Sequence, residues 1–189
     1  MVGGPADNVT RAMKYKRLPH LFFPEYAYSV WVDGNISITG DMNEFITAHL
    51  KHSPMASLKH PDRNCLYQEA RACIYLNKDD HSVIRRQMDY YRECGYPEGN
   101  GLIQSGVIIR RHNEQSVIRV MEDWWANVER YSRRDQLSFN YAAWKNSFEY
   151  DEIDIDASQN KYFVIRPHGR PTASGHYTHS FGLLPSMDK

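Results

Sequence analysis

The alternation of strand-like and helix-like segments is the feature that most constrains how this chain can fold. Runs rich in β-branched and aromatic residues predict strands at 28–32, 36–38, 55–60 and 102–110. Helical spacing of apolar residues, with polar caps and Pro or Gly stops, predicts helices over 8–18, 42–50, 64–77, 114–131 and 134–146, and between Asp80 and Gly95. Interleaved strands and helices predict an α/β fold in which flanking helices cover a mostly parallel sheet.

Length and composition predict one compact domain. The chain has 189 residues, of which 41% are hydrophobic and 13% aromatic, enough to form a sizeable core. After Trp144 the sequence changes from the acidic run EYDEIDID to the strand-like KYFVIRP and then to a tail rich in Gly, Pro, His and Ser. We therefore predict a single domain over residues 1–150 and a partly irregular C-terminal extension over residues 151–189.

The charge balance and the lack of long apolar runs exclude several classes of protein. Lys plus Arg and Asp plus Glu number 23 each, so no net field draws the chain to nucleic acid. The longest apolar stretch, around residues 21–31, contains Pro24 and Glu25 and is too short to cross a bilayer. Residues 1–8 show no secretory signal, and the three cysteines form no CxxC pair. We expect a cytoplasmic protein with no nucleic-acid partner and no transmembrane segment.

The turn that follows the first predicted strand carries Asp33, Gly34 and Asn35. Groups just beyond the carboxyl ends of strands face the ligand crevice of an open α/β sheet. Asp33 and Asn35 are therefore placed to hold a divalent ion or a diphosphate. The alternative is a plain turn, since Asp, Gly and Asn are the favoured turn residues.

Five segments, in their order along the chain, resemble one known family. They are RAMKYKRLPH, YSVWVDGNISI, KHPDRNCLYQEA, SGVIIRRHN and YSRRDQLSFNY, and they span about residues 11 to 141. The chain resembles the glycosyltransferase-like family, of domain-of-unknown-function type, that includes the plant mucilage-related glycosyltransferases. The resemblance implies a GT-A-like fold, that of the nucleotide-diphospho-sugar transferases, here expected without its usual first strands.

The resemblance also implies a metal site. WVDGN stands where other GT-A enzymes place their DxD motif, which implies Mn²⁺ or Mg²⁺ bound by Asp33 and Asn35. Because the amide of Asn35 carries no charge, it binds a divalent cation more weakly than the usual second acid, and Asp33 becomes the main anchor. His168 invites comparison with the C-terminal histidine that completes the metal site in some GT-A enzymes.

Two basic segments supply further donor-binding residues under this resemblance. Arg11 and Lys16, on the first helix, would offset the charge of the leaving diphosphate, although a solvated helix face is the alternative. His60 and Arg63 lie at the start of a helix, whose N-terminus attracts anions, and could contact the sugar or the phosphate. Glu69 can instead pair with Arg63 inside the structure.

The last candidates lie on the fourth strand and beyond it. Gly106, inside that strand, permits close approach of the donor sugar or simply of another backbone, and Arg111 follows the strand's end. Asp135 and Gln136 open a helix and are the predicted catalytic pair, one accepting a proton or a hydrogen bond and the other orienting sugar hydroxyls. The alternative is that Asp135 only caps the helix and pairs with a neighbouring arginine.

Together these features predict a glycosyltransferase that moves a sugar from a nucleoside-diphosphate-sugar donor to a hydroxyl acceptor such as a glycan. The alternative from another class is a non-catalytic sugar- or nucleotide-binding module, a degenerate relative of the same fold, which Asn35 favours. A metal-dependent phosphoesterase or nuclease is the weakest alternative, because the sequence has no recognisable ligand spacing such as HExxH.

Overall fold

The structure is a computed structural model that describes residues 5–156, 159–166, 170–171 and 177–178, with side chains over 10–156 and 159–166. The helices are α1 (Pro5–Arg17), α2 (Met42–His49), α3 (Leu66–Tyr75), α4 (His81–Glu93), α5 (Gln115–Arg130) and α6 (Phe139–Lys145). The strands are β1 (Ser29–Val32), β2 (Ile36–Ile38), β3 (Met55–Lys59), β4 (Ile103–Arg110), β5 (Asp151–Ile153), β6 (Phe163–Ile165), β7 (Arg170–Pro171) and β8 (Tyr177–Thr178). The helices and the first four strands lie where the sequence predicts them.

The main sheet is mixed rather than mostly parallel. Its four strands lie in the order β1-β4-β3-β5. β4 is antiparallel to both β1 and β3, whereas β3 and β5 are parallel. Two helices, α3 and α4, separate β3 from β4, and the chain re-enters the sheet where β3 ends, with Lys59 opposite Ile103. The α/β class is confirmed, but the parallel arrangement is wrong for two of the three pairings.

Alternation along β4 divides the core between the two faces of the sheet. Ile108 packs on one face with Trp124 of α5 and with residues of α6. Val107 and Ile109 point to the other face, where they pack with Phe45 of α2 and with the small sheet formed by β2 and β6. The sheet is therefore covered on both faces, as an α/β fold requires.

The chain beyond residue 150 contributes to the same core. β5 lies parallel to β3 at the edge of the main sheet, and β6 is antiparallel to β2. Ile153 and Phe163, on these two strands, are buried. The division predicted after residue 150 therefore does not coincide with a break in packing or hydrogen bonding. Residues 157–158, 167–169, 172–176 and 179–189 of the predicted extension lie outside the described residues.

An irregularity in the central strand shapes the end of the sheet. The pairing of β3 with β4 shifts between Ser57 and Leu58, and residues 105–107 have no counterpart on β3 in the register. On the other side of β4, the backbone N–H of Asp33 donates to the carbonyl of Gly106 at 2.8 Å. Such bulges redirect side chains and are frequent beside active sites. This one faces the turn that carries Asp33.

Candidate active site

A cleft of about 700 Å³ opens beside the end of β1. Its walls come from the last turns of α1, the turn after β1, the bulged part of β4, the loop before α3 and the segment before α6. Eight of the ten predicted site residues line this cleft: Lys16, Asp33, Asn35, His60, Arg63, Gly106, Asp135 and Gln136. The fold thus brings together residues that the sequence keeps far apart.

The side chain of Lys16 connects the walls of the cleft. Its ammonium Nζ lies 2.6 Å from Oδ2 of Asp135, 3.2 Å from Oδ1 of Asp33 and 3.3 Å from Oγ of Ser105. The side chain is only 6% exposed. A buried charge is costly unless it is paired and hydrogen-bonded, and these three oxygens match the three N–H donors of an ammonium group. Lys16 is therefore held at a fixed position in the cleft.

Asp33 reaches into the cleft, where 41% of its side chain is exposed. Its Oδ1 also accepts a hydrogen bond of 2.7 Å from the indole Nε1 of Trp31. Its Oδ2 lies beside Gly106, where an added Cβ would be 3.4 Å away. Gly106 therefore leaves room for the carboxylate of Asp33, which is the packing alternative to contact with a sugar.

Asp135 is shared by two cations. Besides Lys16, Nη2 of the fully buried Arg17 lies 3.3 Å from its Oδ2, and the Arg17 guanidinium stacks over the ring of Trp124 at 4.8 Å. Burial acts to raise the pKa of Asp135, but the charges of Lys16 and Arg17 outweigh it, so that this pKa is lowered. Burial lowers the pKa of Arg17, and Asp135 opposes that shift. Asp135 is thus ionised and a weak proton acceptor.

The segment that carries Asp135 is held by its own hydrogen bonds. A short 3-10 turn covers Asp135–Leu137, and the backbone N–H of Gln136 donates to Oδ1 of Asp135 at 3.0 Å. The amide Nε2 of Gln136 donates to the carbonyl of Ile103 at 3.2 Å. The alternative in which Asp135 pairs with a neighbouring arginine is wrong, since its cationic partners come from α1.

His60, Arg63 and Glu69 form a second hydrogen-bonded group on the cleft wall. Nε of Arg63 lies 2.7 Å from Oε2 of Glu69, which confirms the internal pairing of Glu69. Nδ1 of His60 accepts the backbone N–H groups of Asp62 and Arg63, each at 3.2 Å. With Nδ1 accepting, the neutral ring has its proton on Nε2, which lies 3.6 Å from Oε2 of Glu69 and 3.3 Å from Nη2 of Arg63. Burial lowers the pKa of His60, which favours this neutral form.

Arg11 does not line the cleft. The residues of α1 that face it are Ala12, Met13, Lys16 and Arg17, whereas Arg11 is exposed. Arg11 lies five positions before Lys16, and at about 100° per residue the two side chains point about 140° apart around the helix axis. Arg11 is therefore on another face of α1. The prediction of a donor contact for Arg11 is thus corrected by the phase of the helix.

Arg111 lies at the wrong end of the sheet. Its prediction assumed that the carboxyl ends of β1 and β4 lie at the same edge of the sheet. The two strands are antiparallel, so the end of β4 at Arg110 lies opposite the start of β1 at Ser29. The backbone N–H of Arg111 donates to the carbonyl of Pro54, and its guanidinium lies 5.8 Å from the ring of Tyr28. Arg111 is therefore removed from the candidate site.

Asp33 and Asn35 do not fit the donor set of a divalent metal. The amide Nδ2 of Asn35 donates to the carbonyl of Arg166 at 3.0 Å, and the N–H of Arg166 donates to the carbonyl of Asn35 at 2.8 Å. Asp33 is already paired with the ammonium of Lys16. Protein sites for Mn²⁺ and Mg²⁺ in nucleotide-binding clefts supply one or two carboxylates with surplus negative charge, whereas this turn offers one carboxylate that Lys16 compensates and one uncharged amide oxygen.

The rest of the described chain offers no alternative metal site. In that part of the chain, no group of three or more His, Cys, Asp or Glu side chains could hold an ion. His168, the predicted histidine ligand, lies outside the described residues.

The cleft carries a surplus of positive charge. In the part of the chain that the structure describes, seven Lys or Arg and four Asp or Glu residues line it. Four of these cations, Lys78, Arg133, Arg134 and Arg166, have no described carboxylate within 4.0 Å. Nε of Arg134 is buried and has no hydrogen-bond partner among the described residues. The arrangement therefore suits an anionic ligand.

Two contributors to this geometry escaped the sequence analysis. Ser105 binds Lys16 from the irregularly paired part of β4, and the one local signal of that irregularity is the adjacent Gly106, since an isolated glycine in a strand often marks a bulge. Trp31 lies two positions before Asp33, so alternation along β1 puts both on one face, a signal that could have revealed their hydrogen bond.

A family model for the TOD1/MUCI70 glycosyltransferase-like domain matches residues 6–162. This chain belongs to that family. The match includes every residue that lines the cleft except Ile165 and Arg166. The description of the family indicates glycosyl transfer but names no donor or acceptor. A comparison with curated proteins and one with solved structures each found no match. Across the described residues of this family member, no helix combines the length and the apolar character needed to cross a membrane.

Proposed function

We propose that this member of the TOD1/MUCI70 family is a glycosyltransferase that moves a sugar from a nucleoside-diphosphate-sugar donor to a hydroxyl acceptor such as a glycan. The observation that carries the proposal is the contact of Lys16 with both Asp33 and Asp135 inside one cleft. It joins the turn that resembles a DxD motif to the predicted catalytic segment. A cytoplasmic location stays a prediction.

The chemistry of this reaction needs a stabilised leaving group. The acceptor hydroxyl oxygen forms a bond to the anomeric carbon, and the bond from that carbon to the diphosphate oxygen breaks. The diphosphate keeps the electron pair, and the hydroxyl proton is released to the solution. Fixed cations beside the departing diphosphate lower the barrier because they offset its developing charge. Lys78, Arg133, Arg134 and Arg166 are the cleft cations with no described carboxylate partner, and they could do so.

The other residues of the cleft have supporting roles in this proposal. Asp135 holds Lys16 and Arg17, and these two ion pairs, which lower its pKa, make it a poor base. Gln136 uses its amide nitrogen on the backbone, so its Oε1 is the atom that can accept a hydrogen bond from a sugar hydroxyl. His60 and Arg63 also line the cleft and could contact the sugar.

A non-catalytic sugar- or nucleotide-binding module is the second candidate. The observation that favours it is the lack of a ready general base among the described carboxylates at the centre of the cleft, because the contact that joins Asp33 and Asp135 also pairs both of them with Lys16. A carboxylate that is compensated in this way accepts a proton poorly, so neither is a ready general base.

Isothermal titration with UDP, GDP and ADP, followed by assays of UDP-, GDP- and ADP-sugar hydrolysis, tests the proposal. We expect one nucleotide to bind, its sugar conjugate to be hydrolysed slowly, and the hydrolysis to be lost in Asp33→Ala, because Lys16 loses one of the oxygens that hold it in the cleft. Asp89→Ala, which removes an exposed carboxylate on α4, is the matched control and should change neither. Binding without any turnover supports the binding module instead. No binding of any of the three contradicts the glycosyltransferase and a nucleotide-binding module, and binding of a free sugar alone would then support a sugar-binding module.

A further inference from the structure

We propose that the cleft binds the diphosphate of its donor without a divalent metal ion. The ammonium of Lys16 takes the position of the metal, and arginine and lysine side chains are the phosphate ligands. This inference rests on the proposed function, since it concerns how the same cleft holds the same donor. Two independent features of the cleft support it.

The first feature is the environment of Lys16. Two carboxylates and a hydroxyl, from the turn after β1, from the segment before α6 and from β4, converge on its Nζ within 3.3 Å. Converging oxygens of this kind are what a divalent cation receives from a protein. Here a lysine amine occupies the point of convergence, and a metal ion could reach both carboxylates only by displacing it.

The charge count agrees with this position. The positive charges of Lys16 and Arg17 balance the negative charges of Asp33 and Asp135, so the cluster is neutral as it stands. In a nucleotide-binding cleft the protein usually supplies a divalent ion with one or two carboxylates whose negative charge is in surplus, and the substrate phosphates complete the ligand set. This cluster has no such surplus, and adding an ion would place it beside two cations.

The second feature is the set of cations on the cleft wall that lack a carboxylate partner among the described residues: Lys78, Arg133, Arg134 and Arg166. A buried N–H without a partner costs free energy, and Nε of Arg134 is in that state. A phosphate oxygen would satisfy it, because the planar guanidinium presents its donors in a fork that matches phosphate. A diphosphate therefore has side-chain ligands that do not require a bridging metal.

Titration of the wild-type protein with UDP, GDP and ADP tests the inference directly. Each nucleotide is titrated twice, once in about 1 mM EDTA and once in about 5 mM Mn²⁺ or Mg²⁺, so that binding that depends on metal can be distinguished. We expect the Kd of the best nucleotide to agree between the two conditions within about threefold. Binding that occurs only with metal would overturn this inference but leave the proposed function standing. If no nucleotide binds in either condition, the proposed function itself fails.

A substitution of Lys16 gives a second readout that needs no nucleotide. Lys16→Ala leaves the carboxylates of Asp33 and Asp135 without their ammonium, so we expect Mn²⁺ to bind this variant about tenfold or more tightly than the wild type. Adding Asp33→Asn to Lys16→Ala should abolish the gain. Circular dichroism identifies a variant that has failed to fold, in which case the wild-type titration decides. A folded Lys16→Ala protein with no gain in Mn²⁺ affinity contradicts the position assigned to Lys16.

The phosphate ligands are tested with a matched pair of arginine variants. Arg134→Gln should weaken the binding of the same nucleotide about tenfold or more in EDTA, since a charge-assisted hydrogen bond is lost. Arg85→Gln removes an equal charge from the exposed face of α4 and should leave the affinity within about twofold. Equal effects of the two substitutions would show that only overall charge matters and would overturn the assignment of Arg134.

Discussion

At the residue scale, the stability of the cleft depends on Asp135. It accepts contacts from Lys16 at 2.6 Å and from Arg17 at 3.3 Å, and both cations are almost completely removed from water. Removing one partner of a buried ion pair leaves an uncompensated charge, which costs much more than the net contribution of the pair. The carboxylate is therefore required even if it never touches a substrate.

Asp135→Asn should lower the free energy of unfolding by about 3 kcal/mol, because Lys16 and Arg17 lose a full compensating charge. Urea denaturation followed by circular dichroism measures this. Asp89→Asn breaks the exposed pair with Arg92 and should change the unfolding free energy by less than about 0.5 kcal/mol. Similar losses in the two variants would contradict the buried character of the Asp135 pairs.

The same carboxylate predicts a pH dependence. Its pKa in the folded protein is lowered, while the unfolded value is about 3.9, so its pairs stabilise the fold fully above that value. The contribution is lost as the pH falls through the folded pKa. The difference in unfolding free energy between the wild type and Asp135→Asn should be constant near neutral pH and shrink below about pH 4. Urea denaturation at several pH values measures this difference. A difference that stays constant down to the lowest pH would contradict the prediction.

At the element scale, the bulged centre of β4 creates the space that Asp33 occupies. Gly106 has no side chain, and a Cβ there would lie 3.4 Å from both Oδ2 of Asp33 and Cδ1 of Ile36. That separation is an ordinary contact, so a single methyl group fits. A branched side chain does not, because its further methyl groups extend toward the carboxylate.

Gly106→Val should therefore lower the free energy of unfolding by about 1–3 kcal/mol through overpacking, and it should move Asp33 away from Lys16. Gly106→Ala is the matched control and should remain close to the wild type in stability and in nucleotide affinity. Thermal denaturation and titration of both variants provide the measurements. A valine variant as stable as the alanine variant would mean that β4 moves freely at this point.

The elements could be predicted from the sequence because their signals are local. Asp80 caps α4 through the backbone N–H groups of Ser82 and Val83, as a helix start requires. The antiparallel pairing of β4 with β1 depends on contacts between segments far apart in the sequence, and no local pattern predicts it. The same limit explains the site: Asp33 and Asp135 were identified by their residue types and turns, whereas Arg111 failed with the assumed strand direction.

At the scale of the whole molecule, the C-terminal strands are part of the folding unit. Ile153, Tyr162 and Phe163 are buried in the core that α2 covers, and they come from the segment predicted as an extension. Composition suggested a boundary because this segment is acidic and then rich in turn residues. Its few apolar side chains are nevertheless the ones that close one face of the sheet.

A chain that ends after residue 150 should lose about 5 kcal/mol or more of stability, since each large buried side chain contributes roughly 1.5–3 kcal/mol. That loss is comparable with the whole stability of a typical domain, so the shortened chain should be largely unfolded. A chain that ends after residue 166 keeps these strands and serves as the control. Circular dichroism and proteolysis distinguish the two, and a cooperative melt of the shorter chain would contradict the prediction.

The hydrogen bond from the indole of Trp31 to Asp33 gives the cleft an optical probe of its own. The indole nitrogen touches the same carboxylate oxygen that Lys16 contacts, so any ligand that rearranges this pair also changes the surroundings of a fluorophore. The fluorescence emission of Trp31 can therefore report occupancy of the cleft, and comparison with a Trp31→Phe protein isolates its contribution. The measurement needs no label and no turnover, and the ligand need not be known in advance.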